Sequence, residues 1–166
     1  MISSFQYVIR AVEERDRAWV LDFIIGHWGD DFVVLHEDIF YPHQLPGLIA
    51  ETNKTEAVGL VTYQIRENQC EIITVNSLIE NQGVGTKLIE VVIAQAREAG
   101  CSRLCLTTTN DNLQAIDFYT RKGFTLKETR LGAVDKARLI KPSIPNVSSK
   151  GIPIRDEWEF ELILSA

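Results

Sequence analysis

The chain has 166 residues, of which 45% are hydrophobic and 24% charged, with a net charge of −6. That length and balance fit one folded domain with one core and exclude bulk disorder. The negative balance argues against nucleic acid as a partner, because phosphate-backbone binding needs clustered Lys and Arg. No apolar run reaches membrane-spanning length.

The segment from Met1 to Gln6 has no basic stretch followed by an apolar one, so no leader is read there and the cytoplasm is the expected compartment. Residues 5–12 alternate loosely and predict a strand. Residues 13–28 place Ala18, Leu21, Ile24 and Ile25 at helical spacing, with Gly26 and Gly29 marking the end. A short strand is expected at 32–35 and a loop rich in aromatics and Pro at 38–46. Strands follow at 48–51 and 57–65 around a turn at 52–55, and another at 69–75. Strict alternation in that last strand puts Cys70, Ile72 and Thr74 on one face and Glu71, Ile73 and Val75 on the other.

From Val84, residues Leu88, Val91, Val92 and Ala96 form an apolar stripe that predicts a helix stopped by Gly100. A strand at 102–108, a helix at 113–122 closed by Gly123 and a strand at 124–129 come next. A short helix at 133–140, a loop with three prolines at 141–153 and a strand at 155–164 complete the chain. The last strand sets Trp158, Phe160 and Leu162 against Glu157, Glu159 and Glu161 on its opposite face. The order is mixed α/β (α+β), with hairpin strands followed by two β-α-β crossovers. Cys70, Cys101 and Cys105 are odd in number and lack CxxC spacing, so they read as buried free thiols with no metal site.

The segment Glu80-Asn81-Gln82-Gly83-Val84-Gly85-Thr86 carries a strand through a glycine-bearing turn into a helix. The first N–H groups of a helix have no internal acceptor and lie at the positive end of its dipole, which makes an anion site. Glycines allow close approach of a phosphate. The pattern therefore fits a diphosphate held by Gln82, Gly83, Val84, Gly85 and Thr86. It is not a P-loop, which needs GxxxxGK[ST], nor a dinucleotide fingerprint, whose third glycine is Leu88 here. Taken alone, the turn also reads as a tight strand-to-helix connection that binds nothing.

A second motif decides between these. Asn112, Ala115, Phe118, Tyr119, Gly123 and Phe124 match the pattern N-x-x-A-x-x-F-Y-x-x-x-G-F, which resembles the helix motif of the GNAT superfamily of N-acetyltransferases. Residues 80–85 resemble that family's Q/R-x-x-G-x-G loop, with Glu80 in place of Gln or Arg. A carboxylate there would repel a diphosphate. The resemblance implies a GNAT fold, a mixed and mostly antiparallel central sheet flanked by helices, over a single domain spanning residues 1–166. It implies acetyl-CoA as acetyl donor, with its pyrophosphate on the loop amides and its pantetheine arm on the backbone of Ile73, Thr74 and Val75. Asn112 would touch the same arm. Tyr119 would protonate the leaving thiolate.

The implied activity is acetyl transfer to a primary amine of a small molecule or peptide by direct attack in a ternary complex. The base that accepts the amine's proton is read as Glu71, on the strand before the loop; an exposed strand carboxylate is the other reading of that residue. His36 and His43 flank the aromatic loop and could line an acceptor site or be structural. The acidic run ending at Glu161 reads either as a strip favouring a cationic amine or as a solvated sheet face. Expected partners are acetyl-CoA and an amine, with a homodimer left open and no nucleic acid or membrane. The alternative to an enzyme is a non-catalytic acyl-CoA-binding sensor on the same fold.

Overall fold

The computed structural model describes residues 5–164; Met1 to Ser4, on which the leader reading falls, lie outside them. The elements are β1 (Tyr7–Ala11), α1 (Arg17–Trp28), β2 (Val33–Leu35), β3 (Asp38–Phe40), β4 (Gly47–Thr52), β5 (Ala57–Arg66) and β6 (Gln69–Ser77). Then follow α2 (Val84–Glu98), β7 (Arg103–Thr109), α3 (Leu113–Arg121), β8 (Thr125–Arg130), α4 (Ala133–Ile140) and β9 (Glu157–Ile163). Seven strands form one sheet in the order β1-β4-β5-β6-β7-β9-β8. Among the described residues only β6 and β7 run parallel, joined by α2; every other pairing is antiparallel. No helix of the described residues is long and apolar enough to cross a membrane.

Helices α2 and α3 cover one face. Leu88, Val92 and Ala96 of α2 and Tyr119 of α3 bury against Val61, Ile72, Leu104 and Phe160 of the sheet. The apolar stripe read from the sequence is this contact. On the other face, Val20, Phe23 and Ile24 of α1 pack on Ile49 and Leu60. Val33 and Phe40 of the β2–β3 hairpin pack on Ile73. Gly59 sets how closely α2 starts against the sheet, because a Cβ there would fall 2.6 Å from Val84 Cγ1. The three cysteines are buried and free, and burial pushes the Cys70 and Cys105 thiols up to about 12 and about 11. These thiols are inert at neutral pH.

Three expectations need correction. Helix α1 ends at Trp28 as expected, with Gly29 as its left-handed cap at φ 88°, but Gly26 lies within it and the expected first turn, Glu14–Asp16, is 3-10. The segment at 38–46 is not all loop, since β3 pairs with β2 in a hairpin closed by His36 and Glu37. Both turn residues have positive φ, 41° and 72°. A two-residue hairpin turn of that hand usually shows Asn-Gly in the sequence, so His-Glu hides it. Finally, the alternation in β6 breaks. Thr62 pairs with Thr74 but Tyr63 pairs with Ile72, which leaves Ile73 as an extra, bulged residue. Beyond it Val75 packs against the α2 side of the sheet while Ile73 packs against the hairpin. Glu71 and Ile73 therefore share a face that Val75 does not.

Candidate active site

The glycine turn is built as a cradle. Asn81 and Gly83 take positive φ of 60° and 71°, and Gly83 caps α2. The first bond of the helix runs from Lys87 N–H to the Gly83 carbonyl at 2.9 Å, so the amides of Val84, Gly85 and Thr86 stay outside the helical ladder. They border an open cavity of about 330 Å³ with Ser77, Asn81, Glu80 and Gln114. Gly85 is informative. Its φ is not positive, and the nearest atom to an added Cβ is Ser77 Cβ at 4.0 Å. The fold has no use for a glycine there, although Gly in a helix costs about 1 kcal/mol relative to Ala.

The strands beside the cradle part company. Pairing of β6 with β7 runs from Gln69–Arg103 to Ile72–Leu106 and stops there, although β6 continues to Ser77 and β7 to Thr109. The bulge at Ile73 starts the divergence. From that point the β6 backbone groups that face β7 have no strand partner and are open to another extended chain. On the α1 side the parting opens into a mostly apolar cavity of about 420 Å³. Ile73, Thr107, Thr108, Thr109 and Asn112 line one end of it, and Val33, Leu35, Val134 and Ile154 line the walls.

A second cavity of about 390 Å³, mostly polar, lies next to it along the same sheet face. Glu71, Cys105 and Glu159 belong to the polar cavity, while Ile73, Thr107 and Glu157, two residues along on the same three strands, belong to the apolar one. The tip of the β2–β3 hairpin marks the boundary. His36 Nε2 lies 2.8 Å from Glu71 Oε2, and His36 Nδ1 lies 3.4 Å from Asp38. The His36 backbone N–H donates to Glu157 at 3.0 Å. The hydrogen bond to Glu71 raises the His36 pKa above its ordinary value, against the opposing effect of burial. Glu157, 3% exposed, is also held by Arg130 Nε at 3.1 Å, and Arg130 reaches Glu159 and Thr107 as well.

Tyr119 lies between Phe118, Phe124 and Phe160 with 7% of its surface exposed. Its hydroxyl makes no hydrogen bond within the described residues, and burial pushes its pKa up to about 12. Asn112 caps α3, accepting from Ala115 N–H at 3.4 Å and donating to Thr108 Oγ1 at 3.2 Å.

Residues 10–124 match the acetyltransferase (GNAT) family. The chain belongs to that family. A protein of Bacillus subtilis strain 168 known as YdhI, described as uncharacterized, is 42% identical over 143 residues, which cover 86% of this chain and 89% of that protein. Among solved structures, a Bacillus subtilis acetyltransferase in complex with CoA superposes with a TM-score of 0.68 at 17% identity, covering 96% of this chain and 100% of the other. A GNAT family acetyltransferase from Elizabethkingia anophelis with acetyl-CoA bound gives 0.66 at 18%, covering 95% and 98%. At that identity the likeness speaks for the fold.

Against this GNAT frame, the structure gathers Gly83, Val84, Gly85 and Thr86 at one cavity and Ile73 and Asn112 at the next. Gln82 is exposed and does not line the cradle, whereas Ser77, Asn81 and Gln114 do. Glu71 is no exposed carboxylate: it is 9% exposed and paired with His36. His43 lies apart, stacked edge-on to Tyr41. The acidic strand is neither solvated nor a free anionic strip, because Glu157 and Glu159 pair with Arg130 and Glu161 pairs with Arg103. Lys141, 4% exposed on the wall of the apolar cavity, carries no motif that marks it in the sequence.

Proposed function

We propose that this acyltransferase moves an acetyl group from acetyl-CoA to a primary amine by direct attack in a ternary complex. The parting of β6 from β7 carries the reading. It runs between a set of unpartnered helix amides on one side and a cavity bordered by a histidine–carboxylate pair on the other. The diphosphate of CoA would rest on the amides of Val84, Gly85 and Thr86, with Gly83 turning the chain. The two pantetheine amides would bond the free backbone of Ile73, Thr74 and Val75, and Asn112 would hold α3 against that arm. The amine nitrogen attacks the thioester carbonyl, the C–S bond breaks and CoA leaves as thiolate. Tyr119 donates to that sulfur, and the Glu71–His36 pair takes the amine's proton, directly or through a water. Glu80 lines the cradle with no cation within 4.0 Å among the described residues, which favours a sensor that binds acyl-CoA without turnover as the second reading.

Acetyl-CoA at about a hundredfold excess over Kd should stabilise the protein by about 2.7 kcal/mol in a thermal melt. Free thiol should then be released from acetyl-CoA only when an accepted amine is present. Stabilisation without release from any of a broad amine panel supports the sensor, and no stabilisation at millimolar acetyl-CoA removes both readings. Gly85→Ala sharpens the same assay. Its apo form should melt as high as the wild type or higher, by up to about 1 kcal/mol, because Ala is the better helix former and meets nothing. Its stabilisation by acetyl-CoA should shrink.

A further inference from the structure

The apolar cavity contains a buried cation with no anion of its own. Lys141 stands just after α4 on the cavity wall, 4% exposed. Its Nζ donates to the carbonyls of Trp28 at 2.6 Å and Phe32 at 2.9 Å, and lies 5.6 Å from the centre of the Phe32 ring. An ammonium has three N–H donors, so one remains. No carboxylate of the described residues comes within 4.0 Å of it. Asp30 and Asp31 attract it from further away, and Asp30 already accepts from Ser143. Burial lowers the Lys141 pKa against the attraction of those two carboxylates. The carboxylate that lines the cavity, Glu157, is taken by Arg130 and the His36 amide.

Burying a charge is costly unless an opposite charge answers it. The walls between Lys141 and the parting strands are apolar, formed by Val33, Leu35, Val134 and Ile154. A ligand that fits both features has an apolar body and one anionic end. We propose that the acceptor is an apolar amino carboxylate, with Lys141 binding its carboxylate while its amine faces the thioester. Lys141 is thus a specificity-determining residue. The inference rests on the acetyl-transfer reading for its amine, but the carboxylate site is testable apart from it.

Matched acceptors differing only in the carboxylate separate the possibilities: leucine against 3-methylbutylamine, phenylalanine against 2-phenylethylamine, and 6-aminohexanoate against pentylamine. At least one acid should exceed its decarboxylated twin by about tenfold or more in kcat/KM, since a hydrogen bond to a charged group contributes about 1.5–3 kcal/mol. Lys141→Gln removes the charge and leaves a shorter polar amide beside the Trp28 and Phe32 carbonyls, and a thermal melt checks that the variant folds. It should abolish that preference while leaving turnover of the amine twin and stabilisation by acetyl-CoA intact. Equal rates for every pair in the wild type, or equal loss for both members of a pair in Lys141→Gln, overturn the proposal and leave Lys141 as a cap on the end of α1. Calorimetry with N-acetyl-leucine and N-acetyl-3-methylbutylamine reads the same preference without turnover. If the acid binds more tightly to wild type but not to Lys141→Gln, the carboxylate site stands even where acetyl transfer fails.

Discussion

Replacing Tyr119 by Phe should lower kcat at least tenfold while leaving the affinity for acetyl-CoA nearly unchanged. The ring stays in its setting of Phe118, Phe124 and Phe160, so packing is preserved. What goes is a hydroxyl with no internal partner. The hydroxyl breaks no protein hydrogen bond when it is removed and is not among the buried unpartnered atoms, so the variant should melt within about 1 kcal/mol of the wild type. With a pKa of about 12 the phenol keeps its proton throughout the neutral range. A leaving thiolate, whose thiol has a pKa of about 8.5, does not strip that proton fully. In the proposed mechanism Tyr119 would therefore act by donating a short hydrogen bond as the C–S bond breaks, with solvent completing protonation. General-acid help of this kind is worth about 10²–10⁴-fold, and water replaces part of it. Wild-type turnover in Tyr119→Phe, with any acceptor that works, would reduce this residue to packing.

Glu71→Gln should cost a comparable factor, about 10²-fold, and should also move the pH–rate profile. The raised His36 pKa sets the sign. Below it the pair holds its extra proton and cannot accept another from the amine; above it the pair is a base. Activity should rise with pH through an apparent pKa above the ordinary histidine value of about 6.5. Without the Glu71 carboxylate, the largest cause of the shift is gone, and the rising limb should move to lower pH with a lower plateau. His36→Gly removes the ring but suits the backbone, since φ is 41° at that position. It should keep the fold and lose the limb. A profile that is the same in wild type, Glu71→Gln and His36→Gly would assign the proton to another group.

Most of the scaffold was legible because its signals are local. The stripe at Leu88, Val92 and Ala96, the stop at Gly100 and the alternation of Trp158 and Phe160 against Glu157 and Glu159 each follow from one element's own period. The motif around Asn112 and Tyr119 is likewise local, a spacing within one helix and its closing turn, and the family match over residues 10–124 bears out the resemblance it carries. What stayed hidden depends on contacts between distant residues. The bulge at Ile73 has no composition of its own; it is a register shift between β5 and β6, and it changes which face Val75 occupies. The hairpin turn at His36 and Glu37 lacks glycine, so neither the turn nor the reach of His36 to Glu71, 35 positions along the chain, was visible. The neutralisation of Glu157 and Glu159 needed Arg130 brought alongside by strand pairing. Lys141 became notable only once its burial and its unanswered charge were known.

The central claim is that the gap between β6 and β7 holds acetyl-CoA with its thioester between Tyr119 and the Glu71–His36 pair. The crystal structure of the complex tests it most directly. The account predicts the diphosphate on the amides of Val84, Gly85 and Thr86, with hydrogen bonds of about 2.7–3.2 Å. It predicts the pantetheine amides bonded to β6 between Ile73 and Val75, and the sulfur within hydrogen-bond reach of the Tyr119 hydroxyl. A diphosphate bound elsewhere, or a pantetheine arm that leaves the parting strands empty, contradicts it.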